Sequence, residues 1–403
     1  MEHPIPKTPY SFMRTPPRKA SRILVIVGTR PEAIKMAPIV EELKKSNDVE
    51  VRLALTGQHI GLLGQALQTF NLDPDYDLGI MMKDQTLYEV GQGCLEKLKE
   101  IVQSYKPDMV LVQGDTATVF FGSMVAFFEK IKVGHVEAGL RSGEKWAPFP
   151  EEIFRKLTDV TTDLYFAPTL QAAENLLAEN VNPEKIYITG NTIVDALLKI
   201  SATEQEIENS VLASLLANRD SQLVLLTAHR RESFGDPLKE IFTAVRQIAD
   251  IHEDVNIVYP VHPNPNVMVP AQEILNDHPR IHLTEPLGYF DLITTVKHAS
   301  LILTDSGGIQ EEAPTFGVPV LVLRQTTERP EAIEAGIAQM VGTDRDRIVN
   351  EATKILTEKN NQVETPELKL NPYGDGKAAE RIVDILVSDL TGKARLTSDW
   401  ITP

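Results

Sequence analysis

Two basic residues stand beside a glycine turn near the start of the chain. The segment is ILVIVGTRPEAIK, residues 23–35, in which an apolar run leads through Gly28 to Arg30, Pro31 and Lys35. The apolar run predicts a buried strand, and Pro31 suits the first turn of a helix because its missing N–H needs no partner there. A tight turn between a strand and a helix N-terminus is typical of phosphate cradles. We therefore predict that Arg30 and Lys35 bind a phosphate group of a small ligand.

A second glycine turn lies in the segment LILTDSGGIQEEAP and combines groups that suit a nucleotide. Gly307 and Gly308 let backbone N–H groups approach an anion directly, and Ser306 adds a hydroxyl. Glu312 follows one turn into the predicted helix, where a carboxylate can accept both hydroxyls of a ribose. Arg329, just before a proline that begins another short helix, is a further candidate cation.

Three carboxylates are candidates for moving protons. Asp115 follows the predicted strand in VLVQGDTATV, and Glu137 ends the next one in VGHVEAGLRSG. Adjacent parallel strands lie ~4.8 Å apart, so these two side chains can converge on one ligand atom. Like charges that close raise each other's pKa, which suits general acid and base catalysis. Glu151, in the helix start APFPEEIFRKLTD, is the third candidate.

A histidine in the second half of the chain is placed to meet a phosphate. His229 follows the predicted strand in LLTAHRRESFGDP and precedes Arg230 and Arg231. A histidine beside two arginines is poorly suited to an apolar core and well suited to an anion. His262, in YPVHPNPN, is a weaker candidate because the surrounding prolines explain a loop without it.

The elements that must hold these residues form a repeated pattern of short apolar strands, each followed by a longer helical segment. Such runs occur throughout both halves of the chain, from RILVIVG and DMVLVQGD to QLVLLTAHR and SLILTDSGG. Continuous apolar strands that alternate with helices predict parallel sheets covered on both faces. We therefore expect an α/β protein with two doubly wound, Rossmann-like domains and a ligand cleft between them, at the carboxyl ends of the strands.

The predicted domain boundaries follow from a mostly helical stretch between residues 190 and 222, which carries no strand pattern. We predict an N-terminal domain of residues 22–192 plus 377–396, which includes a returning helix, and a C-terminal domain of residues 193–376 that carries the second glycine turn. Residues 1–21 are rich in proline and form a flexible arm in this interpretation.

Composition limits the classes of partner. The chain has 403 residues and a formal net charge of −17, which argues against nucleic acid or an anionic membrane as the main partner. No apolar run is long enough to span a bilayer, no secretory signal is apparent, and the single cysteine, Cys94, fits a reducing compartment. We expect a cytoplasmic protein that holds no metal and no cofactor, since histidines and carboxylates show no metal-ligand pattern.

Several of these segments together resemble those of a known family. In chain order they are GTRPEAIK, QGDT, HVEAGLR, PFPEE, HRRESFG, DSGGIQEEAP and TTERPEA. They are similar to the motifs of the non-hydrolysing UDP-N-acetylglucosamine 2-epimerases. The resemblance extends from about Arg22 to the last helix and leaves out only the proline-rich arm.

This resemblance implies a GT-B architecture and the reversible epimerisation at C2 of UDP-N-acetylglucosamine to UDP-N-acetylmannosamine, which supplies sugars for cell-surface polysaccharides. It also implies a homodimer, with no cofactor. The implied UDP-binding residues are Arg30, Lys35, His229, Ser306, Gly307, Gly308, Glu312 and Arg329. Asp115, Glu137 and Glu151 occupy the positions of the family's acid and base carboxylates, and we count His229 with them as a catalytic candidate.

Two segments depart from the family pattern. The segment TGQHIGLLGQAL is less polar after Gln58 and His59 than in bacterial members where it helps bind a second, activating substrate molecule, which weakens the case for such activation here. Phe154 replaces a common asparagine and leaves the placement of Arg155 open.

Three other functions stay open from the sequence. A hydrolysing epimerase would release UDP and free N-acetylmannosamine, and a glycosyltransferase of the same architecture would pass the sugar to an acceptor. A catalytically inactive sensor would bind the nucleotide sugar without turnover. The Asp115, Glu137 and Glu151 cluster favours epimerisation by elimination and readdition of UDP through a glycal-like alkene.

Overall fold

Two parallel β-sheets organise the part of the chain that the structure describes. It is a computed structural model that describes residues 20–57, 62–80, 82, 85–203, 205–218, 221–327, 329–361 and 371–401. Most of the predicted N-terminal arm, and Gln58 and His59, lie outside the described residues.

The first sheet has seven strands in the order β3-β2-β1-β4-β5-β6-β7. The strands are β1 (Ser21–Val27), β2 (Val49–Leu55), β3 (Tyr76–Asp77), β4 (Met109–Gln113), β5 (Lys132–Val136), β6 (Leu164–Ala167) and β7 (Ile186–Ile188). The helices that follow them are α1 (Arg30–Lys45), α2 (Leu62–Thr69), α3 (Leu87–Tyr105), α4 (Ala117–Phe128), α5 (Glu151–Thr161), α6 (Leu170–Ala178) and α7 (Thr192–Ser201). A 3₁₀ turn, Pro183–Lys185, precedes β7.

The second sheet has six strands in the order β10-β9-β8-β11-β12-β13. They are β8 (Gln222–Thr227), β9 (Val255–Pro260), β10 (Ile281–Thr284), β11 (Leu301–Thr304), β12 (Val320–Val322) and β13 (Ala338–Met340). The helices are α8 (Ser210–Ala217), α9 (Asp236–Ile251), α10 (Pro265–Leu275), α11 (Tyr289–His298), α12 (Gly307–Glu312), α13 (Glu331–Glu334), α14 (Arg345–Asn361) and α15 (Ala378–Thr391). Short 3₁₀ turns occupy Arg231–Ser233 and Ala313–Phe316.

Both strand orders reverse at an internal pair, β1 and β4 in the first sheet and β8 and β11 in the second. In open α/β sheets, ligands bind outside the carboxyl ends of the strands at this reversal. The central strands are buried along their length, as the continuous apolar run Ile23–Val27 predicts. The predicted doubly wound α/β architecture is confirmed.

The two sheets are joined by a shared layer of helices. Helix α7 contacts α1 of the first half and α11 and α12 of the second, and α15 packs on both α1 and α7. One apolar cluster runs from Val25 on β1 through Ile193 on α7 to Ile302 on β11 and Ile382 on α15. The returning C-terminal helix is therefore present, while the division of the chain at residues 192 and 376 stays a prediction. None of the described helices is long and apolar enough to cross a membrane.

Candidate active site

The loops that leave the reversal points of the two sheets open into one cavity of about 590 Å³. Ten of the predicted residues line it. These are Arg30, Lys35, Asp115, Glu137, His229, Ser306, Gly307, Gly308, Glu312 and Arg329. Glu151 is not among the residues that line it. The first phosphate loop and the second glycine turn therefore face the same cleft, although they are far apart in the sequence.

The loop after β1 is held by a carboxylate of its own helix. Glu32 accepts hydrogen bonds from the Gly28 N–H at 2.7 Å and from the Thr29 hydroxyl at 2.8 Å. A side chain at position 28 would overlap Thr118, so only glycine allows this close packing of the loop against α4. Burial raises the pKa of Glu32 to about 7, although these hydrogen bonds oppose the shift. These two hydrogen bonds fix the backbone from which Arg30 reaches the cavity.

Lys35 lies between two carboxylates that come from different halves of the molecule. Its Nζ contacts Glu137, which follows β5, and lies 2.7 Å from Oε2 of Glu311 on α12. Burial alone would lower the pKa of Lys35, but the carboxylates of Glu137 and Glu311 raise it above its usual value. Lys35 is therefore a fixed cation at the floor of the cleft.

The backbone of Glu137 has a conformation that is uncommon for a residue with a side chain. Its φ is +67°, in the left-handed region, and both its N–H and that of Ala138 donate to the Phe166 carbonyl. Such a residue costs on the order of 1 kcal/mol and is found mostly at functional sites. Burial raises the pKa of Glu137, Lys35 opposes that shift, and Glu311 adds to it. The turn thus directs a carboxylate with a raised pKa into the cavity.

Asp115 is oriented by an arginine of α5, the second helix after it in the chain. Arg155, on α5, contacts the Asp115 carboxylate and lies 3.3 Å from Oε2 of Glu152. Phe154 stacks on Phe120 of α4 with ring centroids 5.2 Å apart. The aromatic residue therefore packs between the helices, and Arg155 still reaches Asp115.

Glu151 is the first residue of α5. One of its carboxylate oxygens, Oε2, is buried without a hydrogen-bond partner among the described residues. Burial raises the pKa of Glu151, the negative charge of Asp115 adds to the shift, and Arg155 and Arg230 oppose it. The side chain is thus electrostatically linked to Asp115 and to the second half of the molecule, although it does not line the cavity.

His229 enters the cleft from the loop after β8, which is held by a buried aspartate. Oδ2 of Asp305, at the end of β11, accepts the backbone N–H groups of His229 at 2.7 Å and Arg230 at 2.8 Å. The His229 ring stacks on His262, with centroids 5.5 Å apart. Burial lowers the pKa of His229, and Asp305 opposes that change. The neutral ring is therefore favoured near pH 7.

The second glycine turn packs directly against an arginine. A Cβ at position 307 would lie 2.8 Å from Nη1 of Arg329, so glycine leaves the space that the guanidinium occupies. Arg329 is also anchored through its Nε, 2.6 Å from Oε1 of Glu311. Ser306, Gly307 and Arg329 consequently form one wall of the cavity.

Glu312 faces the cavity beside a tyrosine of α11. The Tyr289 hydroxyl donates to Glu312 Oε1 at 3.3 Å. Burial raises the pKa of Glu312 to about 7, while the positive charge of Arg30 from the opposite side opposes the shift. The carboxylate is thus close to half ionised at neutral pH.

Sequence reasoning missed two residues that organise this site. The ribose requirement selects Glu312 and leaves Glu311 without a role, although the pair of glutamates after Gly-Gly marks both positions. Nothing in the motif relates Asp305 to another strand, yet its carboxylate anchors the His229 loop, which follows a neighbouring strand. Among the residues that the structure describes, no group of three or more His, Cys, Asp or Glu side chains is placed to hold a metal ion.

Comparison with known proteins gives consistent matches over most of the chain. The family model described as UDP-N-acetylglucosamine 2-epimerase matches residues 41–387. The chain is 47% identical over 369 residues to the UDP-N-acetylglucosamine 2-epimerase of Bacillus subtilis, covering 92% of this chain and 96% of that protein.

Solved structures are similar in fold as well as in sequence. The complex of S. aureus MnaA with UDP superposes with a TM-score of 0.85 at 44% identity and covers 94% of this chain and 100% of that one. The UDP-GlcNAc 2-epimerase of Neisseria meningitidis, bound to UDP-GlcNAc, gives a TM-score of 0.82 at 40% identity, covering 91% and 100%. These likenesses confirm the GT-B architecture that the sequence motifs implied.

Proposed function

The chain belongs to the UDP-N-acetylglucosamine 2-epimerase family, and we propose that it interconverts UDP-N-acetylglucosamine and UDP-N-acetylmannosamine without releasing free sugar. The substrate is inferred from the relatives, one of which is bound to UDP-GlcNAc. The observation that carries the proposal is the single cavity in which cations from both halves of the molecule face Asp115 and Glu137.

In this proposal the cations, the neutral His229 ring and the glycine turn hold the diphosphate. Arg30 and Lys35 approach it from the first half, and His229, the Ser306–Gly308 turn and Arg329 approach it from the second. Glu312 accepts the ribose hydroxyls. Fixed positive groups aimed at a departing diphosphate stabilise the charge that develops on it, typically by several kcal/mol.

The chemistry requires the diphosphate to leave because C2–H of the sugar is not next to a carbonyl group and is too weakly acidic for direct removal. A base takes the C2 proton while the C1–O bond to UDP breaks, which leaves a C1=C2 alkene. UDP then adds back to C1, and an acid returns a proton to the opposite face of C2. We assign these proton transfers to Asp115, Glu137 and Glu151, with His229 beside the diphosphate.

Incubation with UDP-N-acetylglucosamine alone in D₂O tests this route. We expect UDP-N-acetylmannosamine as product, with deuterium at C2 in both the product and the recovered substrate. Asp115→Asn is expected to lose both epimerisation and exchange while it still binds UDP.

Other outcomes of the same experiment contradict the proposal. Epimerised product without deuterium rules out the elimination route. Free N-acetylmannosamine together with UDP indicates a hydrolysing epimerase, and turnover that depends on a second sugar substrate indicates a glycosyltransferase. Binding without any turnover indicates a sensor.

The proposal includes a homodimer in the cytoplasm that supplies N-acetylmannosamine-type sugars for cell-surface polysaccharides. The single cysteine, Cys94, is buried, which suits a reducing compartment. Exposed apolar side chains on three neighbouring helices support self-association. They are Tyr88 on α3, Phe127 and Phe128 on α4, and Leu157 and Val160 on α5.

A further inference from the structure

We propose that Glu311 is a positioning residue of the epimerase reaction: its carboxylate joins the Lys35–Glu137 pair of the first half to Arg329 of the second half. This inference rests on the proposed function, because it gives Glu137 and the two cations their roles. Glu311 itself is not expected to touch the reacting sugar.

The contacts form a continuous chain of alternating charge. Glu137 contacts Nζ of Lys35, and the same Nζ lies 2.7 Å from Oε2 of Glu311. The other oxygen of Glu311, Oε1, lies 2.6 Å from Nε of Arg329. Glu311 thus uses its two oxygens on two different cations, one from each half of the molecule.

Burial makes this arrangement sensitive to the loss of any member. The exposed fraction of the side chain is 9% for Lys35, 8% for Glu137 and 2% for Glu311. The negative charges of two carboxylates and the positive charges of two cations compensate one another. In a poorly solvated site, an uncompensated charge raises the free energy of the folded protein. A neutral residue at position 311 would remove the carboxylate that Lys35 and Arg329 share.

The position of Glu311 also sets the electrostatic surroundings of Glu137. The charged groups that face Glu137 are Lys35 from α1, Glu311 from α12 and Arg329 from the loop before α13. The amide of Asn191, at the start of α7, lies 3.4 Å from the same carboxylate oxygen. The negative charge of Glu311 opposes the attraction between Lys35 and Glu137. It therefore favours protonated Glu137, as a group that must both give and take a proton requires.

Substitution Glu311→Gln keeps the shape of the side chain and removes its charge. We expect kcat to fall about tenfold to a hundredfold, as for other losses of positioning, with less than a threefold change in KM. We also expect the limb of the pH profile of kcat that reports Glu137 to move to lower pH by about one unit. The reason is that Lys35 then pairs with Glu137 without the opposing charge of Glu311. A side chain that served packing alone would tolerate the glutamine and leave both limbs in place.

A second variant, Glu311→Asp, keeps the charge and shortens the side chain. It is expected to leave the pH profile close to that of the wild type and to lose less kcat than Glu311→Gln. Glu179→Gln is the control, since Glu179 is a carboxylate that binds Arg141 through both oxygens, at 2.8 and 2.7 Å, and is not among the charged groups that act on Glu137. Its kcat and pH profile should match the wild type.

The outcomes separate this inference from the proposed function. If the wild type does not epimerise UDP-N-acetylglucosamine, the proposed function is wrong. If the wild type is active and Glu311→Gln keeps its kcat and both limbs, or if Glu311→Asp is the more damaged variant, the positioning role of Glu311 is wrong.

Discussion

The carboxylates of the cleft differ in environment although they line the same cavity. Glu311 carries Arg329 and Lys35 on its two oxygens, and these cations lower its pKa although burial acts in the opposite direction. Glu137 and Glu312 are also largely buried. The positive charge near them does not offset the effect of burial, and their pKa values are therefore raised. Environment therefore divides similar side chains into a permanent anion and two groups that titrate nearer neutrality, which is the pattern that acid and base chemistry requires.

Glu312 leads to a prediction on the pH dependence of substrate binding. Its pKa of about 7 means that the ionised form, which accepts the ribose hydroxyls, is lost as the pH falls below 7. We expect the affinity for UDP-N-acetylglucosamine to weaken about tenfold between pH 8 and pH 6, following the ionised fraction. Calorimetric titration of the Asp115→Asn background, which binds without turnover in our proposal, measures this.

The comparison that isolates the group is the same titration with Glu312→Gln added. The amide does not titrate, so its affinity should be weaker at pH 8 and nearly independent of pH over this range. An unchanged pH dependence in this variant would assign the effect to another group.

Helix and loop placement explains how distant segments meet. Each sheet reverses its strand order once, and the loops after β1, β4, β8 and β11 carry Arg30, Asp115, His229 and Ser306 to the cleft. Among these loops, the one after β8 is held by Asp305, which follows the neighbouring strand β11. Such hydrogen bonds between separate elements satisfy backbone groups in a way that local sequence does not specify.

The N-terminus of helix α15 is held by a side chain of another helix. Its preceding residue, Lys377, makes no side-chain cap, but the carboxylate of Asp195 on α7 accepts the N–H groups of Ala378 at 3.2 Å and Ala379 at 2.9 Å. Substitution Asp195→Ala should lower the free energy of unfolding by about 1–2 kcal/mol, the range for loss of a helix cap. Chemical denaturation measures the change.

Asp346 supplies the control for this variant because it is also an acidic residue in the first turn of a helix. Its side chain is 75% exposed and pairs only with the neighbouring Arg345 among the described residues. Asp346→Ala is expected to change stability by no more than about 0.5 kcal/mol. Equal effects of the two substitutions would argue against a tertiary cap at α15.

At the scale of the whole molecule, the two halves share a core and a cleft, and several apolar side chains on helices α3, α4 and α5 of the first half are exposed. Helices α3, α4 and α5 lie side by side, and the exposed fraction is 58% for Phe127, 60% for Phe128 and 81% for Val160. Grouped exposed apolar residues on a helical face are typical of protein–protein contacts. This face is our candidate for the dimer interface.

The proposed dimer predicts an assembly of about twice the chain mass of 44.8 kDa. The double substitution Phe127→Asp and Phe128→Asp should shift the molecule to a monomer, since buried charges oppose an apolar interface. Light scattering coupled to size-exclusion chromatography measures the mass. Leu396→Asp, at a 90% exposed position of the C-terminal segment, should leave the mass unchanged. A monomeric wild type, or a double variant that remains dimeric, would contradict this interface.

Local patterns in the sequence predict the alternation of strands and helices and ten of the residues that line the cleft. These are properties of local pattern. A continuous apolar strand such as residues 23–27 can only be buried, and a polar residue directly after it must lie at the carboxyl end of the sheet. The seven family-like segments added the expected architecture and activity because their order and residue types match an entire known pattern.

The pairing of charges across the cleft depends on the packing of separate elements and not on local pattern. Lys35 and Glu311 are separated by most of the chain, and no periodicity relates them, yet their side-chain atoms lie 2.7 Å apart. Likewise Asp305 directly precedes the second glycine turn in the sequence, but its carboxylate holds the loop of His229, which follows a neighbouring strand. Local sequence fixes where a side chain starts, whereas its partner depends on how separate elements pack, and for this reason Glu311 and Asp305 emerged only from the folded chain.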